Sequence, residues 1–229
     1  MRLNEDSYRK RVRAGWLGKC IGGNLGAIPE CLKKRSYFLK PEDFMPEKML
    51  ANDDLDLQLV WLQVLLDKGL SFTSDDLMEE FIKCYPANPN EYGYGKRNYR
   101  RGIKPPVSGT FANEFFMNSM GCPIRAEIWA MICPGRPEKG IELAYRDGCL
   151  DHGEESICAE QYITALESLS FMSQDRPMLI KKAMEYIPET SRIYHVISDV
   201  SGAFEKGAEL EKVMDYLENG NIKHSVNYP

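Results

Sequence analysis

The sequence lacks most of what would assign it a function at sight. It contains no CxxC pair, no GxSxG nucleophile elbow, no phosphate-binding P-loop and no GxGxxG following a strand. It has only three histidines, none with a companion at metal-ligand spacing. Those absences exclude cysteine zinc ribbons, α/β-hydrolase serine chemistry and dinucleotide-binding α/β folds. No apolar run approaches the roughly 20 residues that a membrane span needs. Basic residues are not in excess: 29 Lys and Arg against 34 Asp and Glu leave a net charge of −5. That balance argues against a general nucleic-acid or membrane-surface binder. Seven scattered cysteines with no regular spacing read as reduced, mostly buried thiols of a cytoplasmic protein, and the charged start from Arg2 to Asp6 does not read as a signal peptide.

What is present is helical periodicity. With 229 residues and 43% hydrophobic content, the chain can bury a core as one domain spanning 1–229. Val12, Trp16 and Cys20 share a face by i, i+4 spacing, which places a first helix at about 7–24. A second starts near Asn52, where nine of the twelve residues from Leu55 to Leu66 are apolar. A helix that apolar all round is expected at the centre of the core. Ser74-Asp75-Asp76 opens a third as a cap. Further helices are expected at 113–120, 123–133, 137–147, 153–171, 177–187, 191–206 and 208–218, divided by Pro134-Gly135, Gly148, Pro188, Gly207 and Gly220. No hairpin signal and no period-2 alternation appears. The fold class is all-α, a single multi-helix orthogonal bundle.

One stretch departs from the pattern. Residues 85–106 carry four prolines, three glycines, four tyrosines, five basic residues and one acid, and read as a long loop. Its interleaved Tyr and Arg/Lys, Arg97 and Tyr99 among them, suit stacking on a base and pairing with phosphates. A solvated surface loop is the plain alternative.

Three other features bear on chemistry. Gly15, Gly18, Gly22 and Gly26 lie along one side of the first helix, at a cost of roughly 1 kcal/mol each relative to alanine. Close approach of another helix or of a ligand would offset that cost, and the run leads through Pro29 to Glu30. Asn52-Asp53-Asp54-Leu55-Asp56 places an N-cap and several carboxylates at the head of the most apolar helix. Acids crowded near a core repel unless a cation or protons intervene, and hard oxygens suit Mg²⁺, Ca²⁺ or Mn²⁺. Asp151-His152-Gly153-Glu154-Glu155 is a second polar knot at a helix start. There His152 is an acid/base or substrate-binding candidate, and the acids can equally serve the first helical turn.

RVRAGWLGKCIGGNLGAIPE followed by NDDLDLQLVWLQVLLDKG resembles the ADP-ribosylglycohydrolase family, which includes the dinitrogenase-reductase-activating glycohydrolases. SGTFANEFFMNSMGCPIRAEIWAMICPG and LAYRDGCLDHGEESICAEQYITALESLSF extend the likeness to its bacterial branch, over roughly 8–218. The resemblance implies an all-α fold with a dinuclear Mg²⁺ site in a central cleft. It also implies hydrolysis of the glycosidic bond between ADP-ribose and an acceptor, so the expected partner is ADP-ribose or an ADP-ribosylated small molecule or protein. By position, Glu30 matches the motif glutamate that acts near the metals as ligand or base, and Asp53 and Asp54 match the paired metal-binding aspartates. Asn52 stands where the family has Ser or Thr, and Leu55 where it often has Thr. Gly22 and Gly23 would let backbone N–H groups approach the pyrophosphate. His152, Glu154, Arg97 and Tyr99 complete the expected substrate-binding set.

The resemblance also implies a late Asp-x-Asp-(Ser/Thr) motif that supplies the other metal ligands. The sequence holds no Asp-x-Asp from position 60 onward. The expectation is therefore a C-terminally short member with weak or absent metal binding, as a fragment, a shortened gene product or a chain completed by a C-terminal partner. Uncovered apolar helix faces would then favour a homodimer. The alternative function is a non-catalytic ADP-ribose-binding module or a helical interaction protein.

Overall fold

The computed structural model describes residues 3–27 and 52–219. Among them there are eleven α-helices and no strand: α1 (Glu5–Gly26), α2 (Asp53–Lys68), α3 (Ser74–Cys84), α4 (Asn90–Arg100), α5 (Val107–Thr110), α6 (Glu127–Ile132), α7 (Pro137–Gly148), α8 (Glu154–Ser170), α9 (Arg176–Ala183), α10 (Arg192–Glu205) and α11 (Leu210–Asn219). The all-α expectation holds. No helix among the described residues is long and apolar enough to cross a membrane.

Local chemistry sets the helix ends. Asn4 caps α1 by accepting from the Ser7 N–H at 2.8 Å, with Glu5 and Asp6 in the first turn. Asn52 caps α2 in the same way, from the Asp54 N–H at 2.8 Å, and Gly69, at φ 60°, ends it. The cap of α3 is Thr73 rather than Ser74. Thr73 and Asp76 form a reciprocal capping box, so the acids there serve the helix, as expected.

The core gathers on the inner face of α2. Leu57, Trp61 and Val64 pack with Phe72, Leu77, Phe81, Trp129, Leu143 and Leu150. Trp61 meets Phe81 edge-on at 5.5 Å, and Phe72 stacks on Trp129 at 5.4 Å. α7 and α8 form the main helix pair, and α8 also packs on α6 and α9.

Three expectations need correction. The 85–106 stretch contains a helix, α4. Two of its buried side chains are polar and bond backbone carbonyls: Lys96 donates to Tyr85 and Ala87, and Asn98 to Ser108 and Phe111. The expected helix at 113–120 is instead a run of turns. Asn113 and Asn118 use their side chains to tie that segment to Gly109, Asp151 and the Glu155 N–H. Finally, α2 is buried on one face only, with Leu59, Leu62 and Leu66 exposed among the described residues.

Candidate functional site

The head of α2 is where the acids lie. Asp53 and Asp54 are half-buried, while Asp56 is exposed. Two neighbours set its geometry. The first is α1: a Cβ built on Gly23 would come within 2.5 Å of the Asn52 amide nitrogen, so the bare glycine lets α1 lie against the cap residue. The second is α4, whose Tyr92 is 2% exposed and donates its hydroxyl to Asp53 Oδ2 at 3.3 Å. Burial raises the Tyr92 phenol far above its ordinary pKa, and Asp53 adds to the effect, so the group stays a hydrogen donor.

Gln58, one turn into α2, is fully buried and ties the helix to α6. Its amide nitrogen donates to the Asp54 carbonyl at 3.0 Å and to Glu127 Oε2 at 2.7 Å, and its oxygen accepts the Ile128 N–H at 3.0 Å. Lys19 of α1 pairs with the other oxygen of Glu127 at 2.7 Å. Three helices are thus fastened together behind the acidic head.

A second polar cluster lies deeper. Arg125 is fully buried and holds Asp151 with two nitrogens, at 2.7 and 3.2 Å, and Asp147 with its Nε at 2.8 Å. Asp151 also receives His152 Nδ1 at 2.6 Å. His152 Nε2 sits 3.2 Å from Ser119 Oγ and 3.7 Å from Glu91 Oε1. Burial opposes charge at Asp151, but Arg125 and His152 prevail and keep its carboxyl well below the usual range. Burial likewise opposes charge on His152, yet Asp151 and Glu91 raise its pKa above the ordinary value. Glu160 lies beside this cluster, and burial together with the Asp147 charge keeps its proton on. Burial pushes Asp147 up to about 6 against the pull of Arg125.

The two clusters meet through consecutive residues of α4. Tyr92 reaches Asp53, and Glu91 reaches His152. Gly121 makes the second contact possible, since a Cβ there would fall within 2.2 Å of Glu91 Oε1 and 2.8 Å of His152 Nε2. The arrangement can hold a carboxylate in one orientation and favours a proton on a buried imidazole.

The expected site residues divide as follows. Asp53, Asp54, Asn52 and Gly23 come together. Gly22 lies on the same turn, and a Cβ there would meet nothing within 4 Å among the described residues. His152 is fully buried, inside the second cluster. Glu154 is exposed at the start of α8 and lines, with Thr110 and Cys149, a groove of about 490 Å³. Arg97 lies 4.4 Å over the Tyr94 ring and donates to the Ala112 carbonyl, and Tyr99 donates to Glu79. Neither is brought to the acids. Glu30 lies outside the described residues. Tyr92, Glu91, Arg125 and Gln58 had not been singled out. The available signals were that Glu91 is the one acid in a basic stretch and Arg125 a charge set among apolar residues.

For a hard cation, Asp53 and Asp54 supply the right donor chemistry, and Tyr92 occupies only one oxygen of Asp53. Among the described residues no three His, Cys, Asp or Glu side chains gather closely enough to cage a metal. The family model described as ADP-ribosylglycohydrolase matches residues 4–227. No curated protein and no solved structure matches the chain.

Proposed function

The chain belongs to the ADP-ribosylglycohydrolase family, and on that premise we propose that it hydrolyses the glycosidic bond between ADP-ribose and an acceptor at the head of α2. The observation that carries the reading is the fixed carboxylate: Asp53, half-buried at a helix N-terminus, accepts the hydroxyl of a tyrosine whose ring is buried in the core.

Asp53 and Asp54 would hold Mg²⁺, with Glu30 as a further ligand or base and the Asn52 oxygen at the edge. Bound there, the ion supplies positive charge that orients ribose hydroxyls and acidifies a water. The protein does the rest. Tyr92 keeps one Asp53 oxygen turned inward and leaves the other for the site. Gly22, whose added Cβ would meet nothing within 4 Å among the described residues, would leave the α1 backbone open to a pyrophosphate. In the reaction, water oxygen bonds to the anomeric carbon as the bond to the acceptor breaks through an oxocarbenium-like state, and the acceptor leaves with a proton.

A second reading, an ADP-ribose-binding module without catalysis, is favoured by the lack of a three-residue cage among the described residues. One experiment separates the two. Incubation with Mg²⁺ and an ADP-ribosylated arginine or serine peptide should release ADP-ribose, and Asp53→Ala should abolish the release. Calorimetric binding of ADP-ribose without release supports the module. No release and no heat overturns both readings.

A further inference from the structure

The glycine stripe of α1 has an unexpected setting. Helix packing would put another backbone against it, yet a Cβ at Gly18, Gly22 or Gly26 would meet nothing within 4 Å among the described residues. At Gly15 it would meet only the terminal methyl of Met131, at 2.8 Å. Gly15 and Gly18 instead floor a cavity of about 280 Å³, walled by Glu127 and Met131 from α6 and by Glu167 and Phe171 at the end of α8.

The charges in that wall are unequally engaged. Lys19 donates to Glu127 Oε1 at 2.7 Å and to the Ile124 carbonyl at 2.6 Å, while Glu127 Oε2 takes the Gln58 amide. Arg11, also in the lining, donates to the Ser170 carbonyl at 2.9 Å, and among the described residues Glu127 and Lys19 act electrostatically on Glu167. The Glu167 carboxyl has no hydrogen-bond or ion-pair partner among the described residues.

We propose that this cavity is a binding site for a small organic cation, a primary ammonium or guanidinium on a short apolar body, with Glu167 as its counter-charge. The positive groups of the lining are both engaged, Lys19 by Glu127 and Arg11 by the Ser170 carbonyl, and Glu167 is the acceptor left open among the described residues. A divalent ion would find one free carboxylate where it needs several oxygens. A protonated amine uses the one open acceptor, and its carbon chain lies against Met131, Phe171 and the bare helix backbone. The site stands apart from the glycohydrolase reading and does not depend on it.

Burial and the neighbouring Glu127 push Glu167 up to about 8, so at neutral pH the empty site holds a proton. A cation entering it displaces that proton, and binding is coupled to proton release. The test is calorimetric titration of the full chain with n-butylamine and n-butylguanidine near neutral pH, in buffers of different ionisation enthalpy and matched ionic strength. Binding with release of a substantial fraction of a proton is expected. Glu167→Gln, nearly isosteric, should weaken it at least roughly tenfold and remove the proton release. Gly18→Leu, which fills the cavity from its floor, should block binding while circular dichroism stays unchanged. Absence of heat with both ligands overturns the proposal, as does wild-type affinity in a folded Glu167→Gln variant.

Discussion

The hydroxyl of Tyr92, on α4, points into Oδ2 of Asp53, on α2, at 3.3 Å, from a ring that packs edge-on against Phe81 at 5.5 Å. The ring is held by the core and the hydroxyl by the acid, so the two functions separate cleanly in one substitution. Tyr92→Phe should leave the denaturation midpoint nearly unchanged, within about 1 kcal/mol of stability, because the ring contacts remain. It should weaken Mg²⁺ binding, followed by calorimetry, by roughly tenfold or more, as loss of an orienting partner does at metal sites. Unaltered Mg²⁺ affinity in a folded Tyr92→Phe protein would mean that the hydroxyl orients nothing.

Adjacent glycines at the end of α1 should respond in opposite directions to the same change. Gly22→Ala adds a methyl that meets nothing within 4 Å among the described residues and should stabilise the protein by up to about 1 kcal/mol through helix propensity. Gly23→Ala drives a methyl into the Asn52 amide and should destabilise by about 1 kcal/mol, through loss of the α2 cap. Urea denaturation of both variants, side by side, measures the contrast. Equal shifts would show that Asn52 moves aside freely.

Alkaline pH should weaken the fold. His152 has a folded pKa above its ordinary 6.5, so its pairing with Asp151 is fully present below that value and is lost as pH rises through the folded pKa. Glu160, raised well above its ordinary value, acts in the same direction, because the unfolded chain ionises it first and gains from rising pH; Asp147, raised only to about 6, has lost its contribution by about that pH. Asp151, held low, costs stability only in strong acid. Stability should therefore fall as pH rises above about 6.5, the ordinary histidine value, with a shallower fall in His152→Asn. Urea titrations across that range give the slope. A rise instead would place the imidazole uncharged in the folded state.

Much of the helical order is readable from residue pattern because glycine and proline mark its joints. Gly148 and Gly207 divide helices whose observed limits lie close to those expected, as at α7, expected at 137–147 and found at Pro137–Gly148; before Pro134-Gly135, α6 ends as expected at Ile132 but starts at Glu127, not at 123. α4 escapes such a reading because its inward face carries, beside Tyr92 and Gly95, the polar Glu91, Lys96 and Asn98, buried on carbonyls and on His152, and periodicity counts those as outward. The turns at 111–122 escape for the converse reason. Their apolar residues suggest a helix, while Asn113 and Asn118 bond the backbone locally and across to α8. At the site, the order of the glycine run and the Asn-Asp-Asp head was visible in sequence. The tyrosine that orients Asp53 was not, since its partner lies 39 positions away and only folding introduces them.

Trp129 donates its indole N–H to Asp147 Oδ2 at 2.9 Å, on the far side of the carboxylate that Arg125 grips. The indole is fully buried, and its emission responds to charge along that bond. The molecule therefore carries a built-in optical probe of its ionic interior. A change of protonation at Asp147 shifts tryptophan fluorescence before any helix opens, and the titration of a cluster that no solvent touches can be followed without a label.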